Sequence, residues 1–400
     1  MRILQINSVC GIGSTGRIAT DIHAILKEQG HESYIAFGRG IPISCDNPIR
    51  IGYKCDIYAH VVKTRIFDKH GFGSKRATKE IIAKIKELDP DVIHLHNIHG
   101  YYINVEILFD YIKELNKPII WTLHDCWPFT GHCTYFDFMG CNCWKGESKC
   151  TQKRSYPASY FLNNSKNNYY RKRKAFTGVN KLTIVTPSKW LANLAGQSFL
   201  NEYPIRVINN GIDLSIFKPT ESRFRRKYNV MNKFIILGVA NTWDRRKGLS
   251  YFIDLAKKIT SNEVIVLVGI TEEQKSKLPD NIIGISKTNN IKELVNIYSA
   301  SDVFVNPTLE DNFPTTNLEA LACGTPVITF MTGGSVESLD KDTGIIVEKG
   351  NIHELLKAIN KIKEKGKEEY YSFCLDRANN LYNKDEKFKE YLNLYMKVIL

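Results

Sequence analysis

Long apolar runs are missing from this sequence of 400 residues. No stretch approaches the roughly 18 to 20 apolar residues that a membrane-spanning helix needs, although 43% of the residues are hydrophobic, an ordinary share for a globular protein. The opening MRILQINSVC is interrupted by Gln5 and Asn7, where a secretory signal peptide would remain apolar. These absences predict a soluble, unprocessed cytoplasmic chain.

Acidic residues are outnumbered, with 42 Asp and Glu against 55 Lys and Arg, a net charge of +13. Such a charge attracts nucleic acid, an anionic membrane face or phosphorylated small molecules. The densest cationic segment, residues 171–174, follows Tyr169 and Tyr170. Basic residues beside aromatic ones suit lipid headgroups or a phosphate backbone, and a solvated helix face is the alternative. Because no recognisable nucleic-acid-binding motif is present, nucleic acid is not expected as a partner.

Paired C-x-x-C spacing is also missing from the cluster of cysteines beside His132. Because thiolates and imidazole are preferred ligands of Zn²⁺, this cluster is a candidate zinc site, with reduced structural cysteines as the alternative. The length of the chain and the missing signal peptide argue against a disulfide framework. The candidate zinc ligands are His132, Cys133, Cys141, Cys143 and Cys150.

Short β-like runs alternate with helical stretches along both halves of the chain. RILQIN, DVIHLH and PIIWTLHD do so in the first half, and KFIILGVA, EVIVLVGI and DVFVNP in the second. This alternation predicts parallel sheets covered by helices, and the length exceeds what one hydrophobic core usually serves. We therefore expect an α/β protein of two doubly wound, Rossmann-like domains with a cleft between them.

The turn formers Asn209, Asn210 and Gly211 mark the expected hinge, near residues 205–220. We predict an N-terminal domain over residues 1–205 and a C-terminal domain over residues 206–380. The last helical pattern, over residues 381–400, has no following strand, so we expect it to pack back on the N-terminal domain.

The loop GIGSTG, residues 11–16, satisfies the G-x-G-x-x-G fingerprint of dinucleotide binding between a strand and a helix. The acidic residue expected about 20 residues later is missing, because the second strand ends in Gly38 and Arg39. An arginine there could accept a 2′-phosphate, which leaves an NADP-dependent oxidoreductase as an alternative. Otherwise the glycines admit another bulky ligand, and Arg17 adds a charge at the start of the helix.

Histidines and an aspartate collect where two strands of the first half should end. His94, His96 and His99 follow one strand, and His124 and Asp125 follow the other. In open α/β sheets ligands bind outside the carboxyl ends of strands. A lone histidine is more often structural, but this cluster favours ligand contacts.

The second half carries Arg245, Arg246 and Lys247 in a loop between a strand and a helix. Cations and exposed amides in such a loop would hold a diphosphate, and a solvated basic turn is the alternative.

The stretch from Asp311 to Glu319 is the most informative part of the sequence. Pro314 and Thr315 open a helix, so Thr315 and Thr316 lie at a positive terminus suited to phosphate. Asp311 and Glu319 straddle that terminus. Two carboxylates so placed suit gripping the hydroxyls of two sugars better than acid and base hydrolysis.

Together these residues resemble the retaining glycosyltransferases of the GT-B fold, specifically the large family 4, over nearly the whole chain. TRIFDKHGFGSKRAT, PDVIHLHNIHGYYIN and TLHDCWPFTGHC are similar to the subgroup that builds bacterial capsule, colanic acid and O-antigen. The resemblance implies transfer of a hexose from a UDP- or GDP-sugar to a lipid-linked saccharide at the inner membrane face, without a cofactor or a catalytic metal. A nucleotide-sugar epimerase or hydrolase on the same fold is the alternative.

The resemblance also implies roles for individual residues. Lys247 with Arg246 or Arg245 would hold the pyrophosphate, and Glu319 would hold the ribose. Asp311 or Glu310 would contact the migrating sugar, which His124 would orient while sharing positive charge. His94, His96, His99 and Asp125 would lie on the acceptor side. The full donor-binding set is Gly13, Gly16, Arg17, Arg245, Arg246, Lys247, Glu310, Asp311, Asn312, Phe313, Pro314, Thr315, Thr316, Asn317 and Glu319.

The implied chemistry retains the anomeric configuration, because the acceptor hydroxyl attacks the face that the nucleoside diphosphate leaves. No protein nucleophile is required. The leaving phosphate would take the acceptor proton, while Lys247, its neighbouring arginine and the helix terminus stabilise the developing negative charge.

Overall fold

A computed structural model describes residues 1–146 and 148–400, except for the side chain of Cys143. The chain forms two compact units, one of Met1–Asn209 with Phe388–Leu400 and one of Asn210–Lys387. Among the helices in these described ranges, none is both long and apolar enough to span a bilayer.

The described residues of the first unit build a seven-stranded sheet of order β3-β2-β1-β4-β5-β6-β7, with parallel neighbours throughout. The strands are β1 (Arg2–Val9), β2 (Glu32–Arg39), β3 (Pro48–Arg50), β4 (Val92–Leu95), β5 (Ile119–Thr122), β6 (Leu182–Thr186) and β7 (Ile205–Val207). The helices are α1 (Gly13–Glu28), α2 (Lys54–Phe67), α3 (Lys75–Leu88), α4 (Val105–Glu114), α5 (Ser165–Phe176) and α6 (Lys189–Gln197).

Local sequence explains these elements. β4 and β5 are buried along their whole length, as expected for near-continuous apolar strands covered on both faces. α4 begins at Asn104, whose side chain accepts a hydrogen bond from the amide of Ile107 at 3.1 Å, and Ser188 caps α6 in the same way.

The described residues of the second unit build a six-stranded parallel sheet of order β10-β9-β8-β11-β12-β13. The strands are β8 (Phe234–Val239), β9 (Glu263–Val268), β10 (Ile282–Ile285), β11 (Val303–Asn306), β12 (Val327–Phe330) and β13 (Gly344–Val347). The helices are α7 (Phe224–Lys227), α8 (Leu249–Ala256), α9 (Glu272–Lys275), α10 (Ile291–Ala300), α11 (Thr315–Ala322), α12 (Ile352–Lys365) and α13 (Glu368–Tyr382).

The last helix, α14 (Lys384–Ile399), packs its apolar residues from Phe388 onward in the first unit. Tyr391 and Tyr395 are buried in one cluster with Ile3 and Val92. The Tyr395 hydroxyl also lies 2.7 Å from Nδ1 of His94 in β4. Burial of this aromatic face explains why a helix with no following strand stays on the sheet.

In both sheets the strand order reverses beside the first strand, between β1 and β4 and between β8 and β11. Loops leaving such neighbours diverge and open a crevice at the carboxyl ends of the strands, where doubly wound sheets bind ligands. The glycine-rich loop and the histidines follow β1, β4 and β5, and the basic loop and the Asp311 stretch follow β8 and β11. The prediction of two doubly wound parallel sheets is confirmed.

Candidate active site

Two loops meet at the reversal point of the second sheet. The amide of Leu309 donates to the carbonyl of Arg246 at 2.7 Å, which joins the loop after β11 to the loop after β8. Lys247 Nζ then lies 2.6 Å from Asp311 Oδ2, and Arg246 Nη1 lies 3.6 Å from the same oxygen. The two cations therefore share one carboxylate, while Arg245 is exposed beside them.

Glycines allow this close approach. Gly248, which precedes α8, has a φ of 79°, and a Cβ there would lie 2.2 Å from the carbonyl oxygen of Pro307. A Cβ at Gly333 would lie 2.1 Å from the carbonyl oxygen of Asp311. Larger residues at these two positions would separate the loops that carry the charged groups.

Asp311 is held in its ionised form. Burial alone would raise the pKa of this carboxyl, but Lys247 and then Arg246 outweigh that effect and hold the pKa below its usual value. Glu310, the alternative sugar contact, has a fully buried side chain, and its carbonyl oxygen accepts from Arg246 Nη1 at 2.8 Å. The structure thus brings the carboxylate of Asp311 to both cations.

Helix α11 begins beside this group. Its N-cap is Pro314, which has no side-chain acceptor for the first-turn amides, so an anionic ligand can take that place. Thr315 and Thr316 are partly exposed at this end. The side chain of Asn317 instead lies inside the fold, where it accepts from Asn306 at 2.8 Å.

Glu319 lies one turn further along α11 and is largely buried. Its Oε2 accepts a hydrogen bond from the hydroxyl of Tyr298 at 2.9 Å, and that bond fixes the carboxylate. Asn312 and Phe313 are buried in the preceding loop, and the Phe313 ring packs 5.8 Å from that of Tyr382.

A relay of hydrogen bonds orients His124 in the first unit. Gln5 donates through Nε2 to the carbonyl of Ala19 at 2.9 Å, so its Oε1 accepts from His96 Nε2, also at 2.9 Å. In a neutral His96 the other nitrogen, Nδ1, is then an acceptor, and His124 Nε2 donates to it at 3.1 Å. This assignment makes Nδ1 of His124 an acceptor.

The expected positive charge on His124 is not supported. Burial, with the nearby His99 ring adding to it, lowers the pKa of His124 to about 4, although Asp125 opposes the shift. A pKa of about 4 leaves His124 neutral at neutral pH. The ring is therefore suited to orienting a ligand through hydrogen bonds rather than through charge.

His94 is not brought to the ligand side. It is fully buried, with Nδ1 2.7 Å from the hydroxyl of Tyr395 and Nε2 2.8 Å from Oγ1 of Thr122. The predicted acceptor contact is corrected to a core residue, because both ring nitrogens are used between β5 and α14.

His99 and Asp125 form a second polar group, with Nε2 2.8 Å from Oδ2. Burial alone would raise the pKa of Asp125, but His99 and the amide of Trp127 hold it below its usual value. Three residues that were not predicted from the sequence lie beside this pair: His70 and Tyr156 contact the His99 ring, and Tyr101 contacts both of them. The sequence did hold a signal for two of them, since His70 lies in TRIFDKHGFGSKRAT and Tyr101 in PDVIHLHNIHGYYIN, the strings that carry the family resemblance.

The glycine-rich loop turns sharply between β1 and α1. The amide of Gly11 donates to the carbonyl of Gly16 at 3.1 Å, and Gly13, with a φ of 66°, has open space where a Cβ would stand. Arg17 is exposed, and its Nε donates to the carbonyl of Gly13 at 3.3 Å. Nothing within the loop fills the space beside Gly13.

Zinc binding by the cysteine cluster beside His132 stays a prediction. Cys133 Sγ lies 2.6 Å from Cys150 Sγ, and Cys141 is buried nearby in the same core. His132 binds Asp68 through Nδ1 at 2.5 Å. The side chain of Cys143 lies outside the described residues.

The basic segment of α5 does not form a four-cation surface. Lys172 is fully buried, where Nζ donates to the carbonyls of Trp127 and Thr130 at 2.7 and 2.9 Å. Arg171 pairs with Glu106 at 2.6 Å. The expectation that residues 171–174 all face a lipid or phosphate surface is therefore wrong, because α5 turns this side toward the core.

The buried histidines predict a pH dependence of stability. Burial lowers the pKa of His60 and His124 to about 4, and the pKa of His94 and His96 well below 6.5. A group with a lower pKa in the folded state binds more protons when the chain is unfolded. The stability that comes from keeping such a histidine neutral is therefore complete above about pH 6.5 and is lost as the pH falls toward 4.

We expect the Tm, measured by calorimetry, to fall as the pH is lowered across this range. In His124→Asn the Tm should fall less steeply, because one of these histidines is gone. Equal slopes of Tm against pH in the parent and in His124→Asn would contradict this prediction.

The two doubly wound sheets, the charged loops after β8 and β11, and the polar residues after β4 and β5 define a glycosyltransferase with the GT-B fold. Residues 15–216 match the sequence profile described as Glycosyltransferase Family 4, and residues 233–365 match the profile described as Glycosyl transferases group 1. The chain belongs to Glycosyltransferase Family 4. This membership replaces the oxidoreductase alternative for the loop of residues 11–16.

One similar protein matches nearly the whole chain, and another matches part of it. The putative colanic acid biosynthesis glycosyl transferase WcaC of Escherichia coli K12 is 25% identical over 424 aligned positions, covering 99% of both chains. The UDP-Gal:alpha-D-GlcNAc-diphosphoundecaprenol alpha-1,3-galactosyltransferase of Escherichia coli is 27% identical over 42% of this chain and 47% of its own.

Solved structures share the fold. Sucrose-phosphate synthase from Thermosynechococcus elongatus superposes with a TM-score of 0.73 at 16% identity, over 100% of this chain and 99% of that one. Anabaena HepE in complex with UDP gives a TM-score of 0.71 at 14% identity, over 99% and 100%.

Proposed function

We propose that this glycosyltransferase moves a hexose from a nucleoside-diphosphate sugar to a lipid-linked saccharide in bacterial surface polysaccharide synthesis, with retention of configuration. The observation that carries the donor site is the group of Lys247, Arg246 and Asp311 at the opening of α11. Relatives named for colanic acid biosynthesis and for transfer to a diphosphoundecaprenol-linked sugar support the pathway and the acceptor.

The donor diphosphate would bind across Lys247, Arg246 and the first amides of α11. These are three sources of positive charge on neighbouring loops, and Asp311 holds the two side chains in place before a ligand arrives. Positioned cations stabilise the charge that develops as a diphosphate leaves. Because these groups can neutralise the diphosphate, we propose that transfer requires no added divalent metal.

The ribose would bind Glu319, whose carboxylate Tyr298 already orients. The migrating sugar would contact Asp311, because this carboxylate is ionised beside the cations whereas Glu310 is buried. In the first unit, Nδ1 of His124 would accept a hydrogen bond from a sugar hydroxyl. The acceptor hydroxyl would attack from the face of the departing diphosphate, and a phosphate oxygen would take its proton.

The acceptor would bind near His99 and Asp125. The buried Tyr101 hydroxyl and Nδ1 of His70 have no hydrogen-bond partner within the described residues, so both are available to a polar ligand or to water. Arg39 lies close enough to both Tyr101 and Tyr156 to influence their titration. A group of polar side chains with a nearby cation suits a saccharide that carries a diphosphate.

The deciding experiment tests transfer itself. UDP- and GDP-hexoses are first ranked by thermal shift, and the best donor is incubated with synthetic undecaprenyl-diphosphate sugars in the presence of EDTA. We expect an acceptor-dependent glycoside whose anomeric configuration, determined by NMR, matches that of the donor. An inverted product would contradict retention, and donor epimerisation or hydrolysis unaffected by acceptor would favour the alternative enzymes.

A surface of the first unit fits the proposed membrane partner better than α5 does. We name it the α2 surface: exposed Tyr58, Val62, Tyr160, Phe161 and Leu162, with Phe161 71% and Tyr58 69% exposed. The segment after Ser159 is joined to the end of α2, since the amides of Tyr160 and Leu162 donate to the carbonyls of residues 65 and 66 at 2.8 and 3.1 Å.

Cations border the α2 surface. The Arg65 guanidinium lies 5.3 Å from the centre of the Tyr160 ring, and Lys153 Nζ donates to the carbonyl of Phe161 at 3.1 Å. Lys69 lies 5.8 Å from the ring of Phe67. Exposed aromatic and apolar side chains bordered by Lys and Arg are the combination that inserts into an anionic bilayer interface.

Phe161→Ser is expected to weaken binding to phosphatidylglycerol-containing vesicles about tenfold or more, since burying a phenylalanine contributes about 1.5–3 kcal/mol. Flotation measures the bound fraction, with pure phosphatidylcholine vesicles testing the charge requirement. Phe373→Ser removes an exposed phenylalanine of α13 and should have no effect. A double variant, Arg173→Gln with Lys174→Gln, tests α5. If Phe161→Ser binds vesicles as the parent does and the double variant binds them more weakly, the α2 surface is not the docking site.

A further inference from the structure

Three metal-ligating side chains converge beside α1, apart from the two groups described above. His23, Cys45 and Asp46 each offer one ligand atom, and these atoms all lie within 4.8 Å of one another. The closest pair is His23 Nε2 and Asp46 Oδ1, at 2.6 Å. The histidine comes from α1, and the other two come from the loop between β2 and β3. Because His23 is far in sequence from Cys45 and Asp46, no spacing motif predicts this group.

The histidine is already oriented for coordination. Nδ1 of His23 lies 2.9 Å from Oγ of Ser33 in β2, and the ring is buried. A hydrogen bond on one ring nitrogen commonly fixes the tautomer and orientation of a histidine that binds a metal through the other. Ser33 therefore presents Nε2 to Cys45 and Asp46.

The second oxygen of the carboxylate is used outside this group, since Lys27 Nζ pairs with Asp46 Oδ2 at 3.1 Å. Asp46 Oδ1 is directed at the histidine instead. A thiol, which binds a metal as the thiolate, and a carboxylate thus face one imidazole nitrogen.

We propose that His23 Nε2, Cys45 Sγ and Asp46 Oδ1 form a Zn²⁺ site whose fourth ligand is water. Zinc bonds of about 2.0–2.3 Å to N, O and S place tetrahedral ligands about 3.3–3.8 Å apart, within the observed spread. The carboxylate has room to move from 2.6 Å to such a distance, because the Asp46 side chain is 57% exposed.

A metal here would fasten the loop after β2 to the base of the glycine-rich loop. The amide of Ile43 donates to the carbonyl of Cys10 at 3.3 Å, and a Cβ on Gly11 would lie 2.3 Å from the carbonyl oxygen of Ile43. Zinc would therefore stabilise the packing of this loop against Gly11. Zinc binding can be measured without the proposed transfer reaction.

The test is zinc binding by the full chain, reduced and stripped with chelator, followed by calorimetry with ZnCl₂ alone. Because the cysteines near His132 can take up zinc too, the comparison is between variants. We expect Cys45→Ser and Asp46→Asn each to lose one equivalent of zinc or to bind it at least about tenfold more weakly, and Ser33→Ala to weaken it about 10- to 100-fold. With Co²⁺, Cys45→Ser should also lose the thiolate charge-transfer intensity of one cysteine.

Matched controls separate this site from general effects. Cys55→Ser and His353→Asn replace exposed residues of the same types and should bind zinc as the parent does. Asp46→Asn alters an exposed side chain, so its Tm in chelator should equal that of the parent, while its stabilisation by zinc should be smaller. Zinc stoichiometry and affinity unchanged in both Cys45→Ser and Asp46→Asn would overturn the proposal, as would a parent chain that binds no zinc.

Discussion

Lys247→Ala is expected to lower kcat for sugar transfer by about 10²–10³-fold, the loss typical when one positioned donor to a developing anion is removed. The ammonium lies 2.6 Å from Asp311 at the start of α11, where the diphosphate would bind. Negative charge on the leaving phosphate grows as the glycosidic bond breaks, so the interaction is stronger in the transition state than in the bound donor. Initial rates and donor titrations should therefore show kcat falling more than donor affinity.

Lys257→Ala is the matched control for this prediction. Lys257 forms an exposed ion pair with Asp254 at 2.9 Å beside the same helix, α8, and its loss should leave kcat unchanged. Since Lys247→Ala deprives Asp311 of its nearest cation, its fold is checked by circular dichroism, and Lys247→Arg should recover part of the rate. Wild-type kcat in a folded Lys247→Ala would remove Lys247 from the donor site.

Glu319→Gln is expected to weaken binding of the nucleoside diphosphate by about 10- to 100-fold, since hydrogen bonds to charged groups contribute about 1.5–3 kcal/mol. A carboxylate accepts from two ribose hydroxyls, whereas an amide of the same shape offers one oxygen. Titration calorimetry with UDP and with GDP measures the loss. The effect should be the same for both nucleotides, because the contact is with ribose and not with the base.

Two variants distinguish ribose binding from support of the fold. Tyr298→Phe keeps the carboxylate of Glu319 and removes only its 2.9 Å hydrogen bond, so we expect a smaller loss of affinity together with a lower Tm. Glu369→Gln changes an exposed glutamate of α13 and should alter neither. Unchanged nucleotide affinity in Glu319→Gln would reassign Glu319 to a structural role with Tyr298.

Much of the fold could be predicted from local pattern. Apolar runs such as DVIHLH and DVFVNP became the buried strands β4 and β11, because strand formation and burial depend on residues that are close in sequence. The loops that follow β1, β4, β8 and β11 also matched the expected position of the motifs. In doubly wound sheets the carboxyl ends of the strands face one side, so this placement needs no tertiary detail.

The choice among neighbouring residues could not be predicted in this way. Arg246 rather than Arg245 reaches Asp311, because the amide of Leu309 bonds the carbonyl of Arg246 and turns that residue inward. His94 and Lys172 read as polar contacts in sequence, yet β4, α5 and α14 enclose them. A polar side chain can be satisfied inside or outside a fold, and its distant partners decide which.

The sequence by itself determined the parallel α/β architecture, the glycine-rich and basic loops, and the stretch from Asp311 to Glu319. Only the tertiary structure decided that His124 is hydrogen-bonded to His96, that Lys172 of α5 is buried while the α2 surface is exposed, and that His23 meets Cys45 and Asp46. The physical reason is that secondary structure and turns follow from neighbours along the chain. Charge state, exposure and ligand geometry follow from residues that only folding brings together.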